Sequence, residues 1–342
     1  GCHKGVADEW EDTLHAEALP NLVASGHANE TCFVCHVVGL DGDTANSGYD
    51  DPDPTVADRF GGVQCEACHG PGSEHIATLV PLVANVSDEL CGACHTGAHH
   101  PTYDEWLTSA HATALSNVVD LPFFRTECLE CHSADYIFAD SVPEDAVPSD
   151  FDFGITCVVC HDPHSDENDY QLRADVVDLC YSCHTTEGSV PGEEVHHPNG
   201  DMYQGIGGYE YPGETYSNSA HTYLADACVN CHMWTSPFDA TGNGEDAISG
   251  HTFLPLIQAC QECHPDATSF DLYGMQTYVQ GLIDELQAEL DAATEADKLT
   301  LNYEYALFNL EFVEQDGSLG IHNPSYAINL LADSLEDFEP GS

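Results

Sequence analysis

Hydrophobic positions are unevenly spread along the chain. From residue 270 onward Val279, Leu282, Ile283, Leu286 and Leu290 recur at helical spacing. A second apolar helical run covers Tyr303 to Val313. Gly317 and Gly320 then break the chain, and Asn323 as N-cap with Pro324 at the first helical position starts a last helix carrying Tyr326, Leu330, Leu331 and Leu335. Before residue 270 no such period is sustained. Stretches such as Asp41 to Pro54 are rich in Gly, Pro, Asp, Asn and Ser, which are loop signals. The expected fold is mostly irregular and loop-rich with short α-helices, followed by a C-terminal helical segment. The longest candidate for a membrane span, Ile76 to Val86, falls well short of the roughly 20 apolar residues required and contains Pro81, so no span is expected.

A chain with so few apolar periods needs another source of core, and the cysteines indicate one. Sixteen of the 17 cysteines form eight C-x-x-C pairs, each followed at once by histidine; only Cys2 stands apart. The first four motifs are Cys32, Cys35 and His36; Cys65, Cys68 and His69; Cys91, Cys94 and His95; and Cys128, Cys131 and His132. The other four are Cys157, Cys160 and His161; Cys180, Cys183 and His184; Cys228, Cys231 and His232; and Cys260, Cys263 and His264. C-x-x-C-H reads as c-type haem attachment. Two thiols one helical turn apart can reach the two vinyl groups of one porphyrin, and the next residue supplies an imidazole to the iron. A zinc or redox reading fits a single C-x-x-C pair but not eight that each continue into histidine. The count predicts eight haem c groups, which would form most of the apolar core.

Each iron needs a sixth ligand or an open face. Of the 21 histidines eight belong to the motifs, which leaves 13, whereas only Met202, Met233 and Met275 offer a thioether. Most or all of the haems therefore read as bis-histidine, a saturated state that suits electron transfer rather than substrate binding.

Internal repetition ranks the spare histidines. Trp10 and Trp106 each lie five residues before a histidine, His15 and His111, and each of these lies 17 residues before a motif cysteine. Two further motifs follow in each case. Residues 1–97 and 98–190 thus read as two copies of a three-haem module, 191–266 as a degenerate two-haem copy, and 267–342 as the haem-free helical segment. His221 repeats the position of His15 and His111. The pairs His99/His100 and His196/His197 each precede a proline, and the first of each pair, His99 and His196, is preferred. His75 and His164 follow the second motif of their modules, and His27 and His251 both sit in Ser-Gly-His.

The charge limits the partners. Sixty acidic residues face five basic ones, for a formal net charge of −55, and eight haems would add sixteen propionates. Nucleic acid and anionic lipid both require Lys or Arg, so neither is an expected partner. The Asp-rich loops could hold Ca²⁺ through carboxylate oxygens, although no EF-hand pattern is present. Because haem is attached to such motifs outside the cytoplasm in the systems this chain resembles, the chain reads as the mature form of an exported protein.

Taken together, the sequence resembles the multihaem cytochromes c along essentially its whole length. The W-x4-H-A segments at Trp10 and Trp106, and the stretch Asp316 to Ala327, are similar to segments of multihaem oxidoreductases and exported electron carriers. That resemblance implies that His322 is a distal ligand and that stacked haems form a continuous electron path. Two subfamilies fit. One is the extracellular cytochromes that polymerise into conductive filaments, with copies of the same chain as partners and a histidine that ligates a neighbour's haem. The other is the octahaem enzymes acting on small nitrogen or sulfur oxyanions, which need an open or lysine-ligated iron. The absence of C-x-x-C-K and the scarcity of cations favour the electron carrier, extracellular or at the cell surface, exchanging electrons with redox proteins or extracellular acceptors. A periplasmic shuttle is the alternative.

Cys2 and His3 precede Trp10 and His15 much as Cys94 and His95 precede Trp106 and His111. Three readings follow: a ninth haem held by one thioether, a lipid anchor on Cys2, or a relic whose His3 is free for another task. The third is preferred, with His3, His15 or His27 ligating an iron across a subunit boundary. A net charge of −55 also carries a consequence of its own, since like charges oppose compaction and salt screens them. The melting temperature is expected to rise with added salt or Ca²⁺. A melting temperature that stays constant over a wide salt range would show that the charges are already compensated.

Overall fold

The computed structural model describes residues 2–44, 47–82, 85–122, 124–143, 146–238 and 246–341, so Gly1 and parts of the Asp41–Pro54 and Ile76–Val86 stretches lie outside it. The described residues form helices joined by loops, with no strand among them. Antiparallel pairing is confined to isolated bridges such as Val37 with Gly61. The α-helices before residue 270 are seven residues or shorter, as a sequence punctuated by Gly, Pro and Asp dictates. Among the described residues no helix is long and apolar enough to cross a membrane.

The chain forms two compact units. One comprises Gly1–Asp175 together with Thr235–Phe253, the other Val176–Trp234 together with Leu254–Ser342. The first unit therefore includes an excursion far along the sequence from the modules read by period. Hydrogen bonds hold it there. The Ala247 N–H donates to the Ala98 carbonyl at 2.9 Å. The Glu105 carboxylate accepts from the Ser249 N–H at 3.0 Å, the Ser249 hydroxyl at 2.7 Å and the His251 N–H at 2.8 Å.

Within this first unit the two tryptophan segments make the same hydrogen bonds. The Trp10 indole donates to the Val63 carbonyl at 3.1 Å and the Trp106 indole to the Ile155 carbonyl at 2.9 Å. The same two residues donate their N–H groups back, Val63 to the His15 carbonyl at 2.8 Å and Ile155 to the His111 carbonyl at 3.0 Å. Glycine precedes each, and for a reason: a Cβ on Gly62 would lie 2.4 Å from the Ala16 carbonyl oxygen, and one on Gly154 would lie 2.8 Å from that of Ala112.

The second unit has a conventional side-chain core. Three helices, Met275–Ala292, Leu301–Asp316 and Pro324–Asp337, bury Val279, Ile283, Leu286 and Leu290 from the first, Phe308, Leu310, Phe312 and Val313 from the second, and Tyr326, Leu330 and Leu331 from the third. Caps set their limits. Thr300 accepts from the Tyr303 N–H, Gly317 closes its helix in the left-handed conformation, and Asn323 with Pro324 behind it opens the last one. The buried Asn309 is fully engaged. Its amide donates to the Tyr209 carbonyl at 2.9 Å and the Ser334 hydroxyl at 3.0 Å, and its oxygen accepts from the Tyr209 N–H at 2.7 Å. Met202 is wholly buried in this core.

Candidate haem centres

Each C-x-x-C-H motif lies on or beside one short helical turn. The N–H of the motif histidine bonds the carbonyl of the first cysteine at 3.0 Å in His95, 2.9 Å in His161, 3.0 Å in His184 and 2.8 Å in His264. This i to i+4 bond places both thiols on one side of the turn, with the imidazole next to them. Asn29 caps the first of these helices, accepting from the Thr31 N–H at 3.0 Å.

The cysteines are placed by the same turns, and none is taken up by a disulfide. Among the first cysteines of the motifs, Cys32, Cys91, Cys128, Cys157, Cys180, Cys228 and Cys260 are half-buried, whereas Cys65 is exposed. Among the second, Cys35, Cys68, Cys94, Cys131, Cys160, Cys183 and Cys231 are half-buried, whereas Cys263 is exposed. Cys131 lies within the Leu129–His132 helix, and Cys160 ends the Cys157–Cys160 helix with its carbonyl accepting from the Arg173 N–H at 2.9 Å. Cys183 and Cys263 lie just beyond their helices, their N–H groups on the carbonyls of Cys180 at 3.3 Å and Cys260 at 3.2 Å. The second and last motifs thus each have one exposed thiol, Cys65 and Cys263. For Cys131, Cys160, Cys183 and Cys263 the role of haem tether rests on the motif and on this backbone placement.

The motif histidines are aimed by backbone carbonyls. Nδ1 of His36 lies 2.9 Å from the Ala18 carbonyl, that of His69 lies 3.1 Å from Leu82, that of His132 lies 3.2 Å from Ala114 and that of His161 lies 2.9 Å from Tyr170. A carbonyl can only accept, so Nδ1 carries the proton and Nε2 presents its lone pair away from the backbone. This is how a metal-ligating imidazole is fixed in tautomer and direction. Ala18 and Ala114 hold matching places in the repeat, each 18 residues before the histidine it orients.

Opposite these rings stand other histidines. In the first unit His36 faces His100 with ring centres 6.4 Å apart, His69 faces His164 at 5.9 Å, His95 faces His15 at 6.0 Å and His161 faces His251 at 6.3 Å. In the second unit His232 faces His322 at 6.0 Å and His264 faces His221 at 6.4 Å. A metal–imidazole bond is about 2 Å long. Two imidazoles on opposite sides of one iron therefore bring their ring centres roughly 6 Å apart. The six pairs fit that requirement, each joining one motif histidine to one other histidine. The second partners are oriented too, with His221 Nδ1 2.7 Å from the Ile321 carbonyl and His251 Nδ1 3.0 Å from that of Ser249.

His100 lies equally far, 6.4 Å, from His95, with the rings at 72°, close to the 65° between His95 and His15, and in the second unit His184 lies 5.7 Å from His197 at 64°. His184 and His197 repeat the sequence places of His95 and His100. In the His-His-Pro pair at residue 99 it is the second histidine, His100, and not the preferred first, whose ring stands opposite a motif histidine. His99 packs instead on Phe238, 4.0 Å between ring centres. His196 lies 3.9 Å from His197, and His111 meets Phe253 edge-on at 4.3 Å. His27 is exposed and held only through its backbone, which donates to the Ser25 hydroxyl. His3 and His75 face each other at 5.8 Å.

The electrostatics suit ligation. Burial, with His15, His100, His161 and His251 adding, pushes the His95 imidazole down to about 4, and burial likewise lowers His15, His161 and His251. Only the neutral ring carries the lone pair a metal takes. His322 is the exception. Burial pulls it down, but its hydrogen bond to the Asp316 carboxylate and the charge there raise it on balance. A carboxylate on the far nitrogen makes the imidazole a stronger donor to a metal.

Motifs also touch one another. In the first unit the Cys35 thiol lies close enough to Cys94 to shift its titration, as Cys157 does that of Cys91; in the second unit Cys180 does the same to Cys228. Thiols of different motifs this near one another would set the porphyrins they carry side by side.

Two supports were missed by reading the sequence alone. Glu105 holds the His251 loop, and Asp316 backs His322. The first had a signal, because Asp-Glu-Trp occurs at 8–10 and again at 104–106, at the tryptophans that mark the repeat. Asp316 had none beyond its place in the Asp316–Ala327 stretch.

Comparison with known proteins places the chain among c-type cytochrome sequences. Residues 152–189 match the doubled CXXCH motif family and residues 1–70 the cytochrome c554 and c-prime family. The Multiheme cytochrome MtrA of Shewanella baltica is 26% identical over 207 residues, covering 52% of this chain and 61% of that protein. The match thus spans less than two thirds of that relative's length. Two solved structures share the architecture. The outer cell wall cytochrome OcwA aligns with a TM-score of 0.68 and 27% identity over 81% of this chain and 70% of its own. The undecaheme cytochrome from the S-layer of Carboxydothermus ferrireducens aligns with a TM-score of 0.64 and 28% identity over 81% of this chain and 50% of its own.

The site analysis gives one direct expectation. Replacing Glu105 with alanine removes the acceptor of three hydrogen bonds and should loosen His251 without touching a cysteine. The haem mass should stay at the wild-type value while electron paramagnetic resonance gains a high-spin ferric signal from one iron; an unchanged spectrum would show that His251 needs no such support. The eight motifs, the opposed imidazoles and the similarity to both solved cytochromes identify the chain as a multihaem c-type cytochrome.

Proposed function

We propose that this chain is an electron carrier working outside the cytoplasm, with bis-histidine haems forming a continuous path. The observation that carries this reading is the set of six opposed imidazole pairs. An iron held between two imidazoles has no face for a substrate, and what it supplies is a reversible one-electron change at nearly fixed geometry. The protein's part is to keep the two rings opposed through the Nδ1 bonds and to keep motifs adjacent through the Cys35–Cys94, Cys91–Cys157 and Cys180–Cys228 contacts. The sixteen motif cysteines are the covalent tethers in this reading, with Cys131, Cys160, Cys183 and Cys263 serving beside Cys128, Cys157, Cys180 and Cys260. All eight motif histidines and the distal set His15, His27, His75, His99, His111, His164, His196, His221, His251 and His322 were candidates on sequence. The geometry favours His100 in place of His99 and leaves His27 outside the pairs.

The two solved relatives, an outer cell wall and an S-layer cytochrome, support a place at the cell surface, and redox proteins or extracellular acceptors are the partners that follow. The oxyanion-reducing alternative would need cations near an open iron. Arg173, one of five basic residues, is instead spent on Asp162 at 3.3 Å and on the face of the Phe138 ring.

In the oxidised protein electron paramagnetic resonance should show low-spin ferric haem throughout and no rapid cyanide binding. A substantial high-spin signal would move the reading toward an enzyme. Head-to-tail assembly into a filament is the further step of this proposal. With His3 and His15 each facing another histidine, His27 is the exposed N-terminal imidazole suited to reach a neighbouring copy. Electron microscopy of the native protein should show filaments, and replacing His27 with alanine should abolish them at unchanged haem content. Discrete particles in the native protein would leave the electron carrier standing without the filament.

A further inference from the structure

His3 and His75 are neither of them part of a C-x-x-C-H motif, yet their ring centres lie 5.8 Å apart. That is close to the spacing of the six pairs, where a motif histidine always forms one side. His75 is oriented as a ligand is. Its Nδ1 lies 2.7 Å from the Val80 carbonyl, which leaves the Nε2 lone pair for a metal. The backbone makes a special turn to provide that carbonyl. Leu79 ends the Ser73–Thr78 helix in the left-handed conformation, at φ 59°, with its N–H on the His75 carbonyl at 2.7 Å, and so the next carbonyl folds back onto the ring. A leucine is strained in that conformation, because its Cβ crowds the following carbonyl. His69, the nearest motif histidine in sequence, is already matched with His164.

The residue before His3 is Cys2, the place that the second cysteine has in every motif. Cys2 is exposed and forms no disulfide. His3 then leads into the Lys4–Trp10 helix as His95, in the third motif of the first module, leads toward Trp106.

We infer that Cys2, His3 and His75 form a ninth haem site, with His3 and His75 the two axial ligands and Cys2 the covalent tether. Attachment needs no oxidant. The Cys2 S–H adds across one vinyl group, a carbon–sulfur bond forms, the vinyl double bond becomes single, and the thiol hydrogen passes to the outer vinyl carbon. His3 therefore serves within its own chain and not a neighbouring subunit.

This inference rests on the bis-histidine reading of the other pairs, and the test separates the two. The intact mass of the denatured holoprotein should correspond to nine haem additions, and that of the Cys2→Ala variant to eight. Equal haem counts in the two proteins would overturn the inference. Electron paramagnetic resonance supplies the second arm. His75→Ala and, as a control in a described pair, His164→Ala should each keep the full haem mass and each gain one high-spin iron. A signal in His164→Ala alone would overturn His75 as a ligand and with it the ninth site. A signal in neither would instead overturn the bis-histidine reading on which it rests.

Discussion

Two imidazoles held roughly 6 Å apart with their lone pairs facing each other are a demanding arrangement. It requires two segments of chain, each with its ring direction fixed, to stop at a set distance without collapsing together. The first unit is organised around this demand. Its wholly or nearly buried apolar side chains are few, among them Leu129, Ala134, Val118 and Trp106, and its helices are short. Such a chain cannot offset its conformational entropy by side-chain burial alone. On the bis-histidine reading proposed above, a haem held between each pair of rings would supply the missing apolar contact, and ligation and folding would be one process there. The second unit differs, because its three long helices bury a core of their own.

The repeat shows how the same solution is built twice. The tryptophan indole and the histidine carbonyl form a reciprocal clasp with one short segment, Val63 in the first copy and Ile155 in the second. Glycine before that segment allows the two backbones to approach. The clasp sets the height of His15 and His111, while the carbonyls of Ala18 and Ala114, three residues further on, orient the first motif histidine of each copy. One loop thus positions one ligand with its side chain and another with its backbone.

This explains what the sequence discloses and what it hides. The C-x-x-C-H motifs are local, and a single helical turn accounts for their spacing. The C-terminal helices are legible because Val279, Ile283, Leu286 and Leu290 keep one helical period. The pairing of ligands is not local. His69 meets His164 and His161 meets His251, each from a distant part of the chain, so no spacing rule connects them. Choosing between His99 and His100 depends on a turn in which the His100 N–H bonds the Gly97 carbonyl, a backbone detail that two adjacent identical side chains cannot signal. The exposure of Cys65 and Cys263 is hidden for a similar reason, since their motifs read like the other six and only the fold around them differs. The module boundaries read from the period also miss the excursion at 235–253, which Glu105 helps to attach with a single carboxylate.

The segment just before the last helix has a consequence for electrochemistry. Ile321 gives its carbonyl to His221, which faces His264, and the next residue, His322, itself faces His232. Two ligand fields therefore share one dipeptide, anchored by Asp316 on one side and by the Asn323 side chain, which accepts from the Ser219 N–H, on the other. On the bis-histidine reading proposed above, a displacement there would act on both centres at once, so the two would be mechanically linked through one short stretch of backbone.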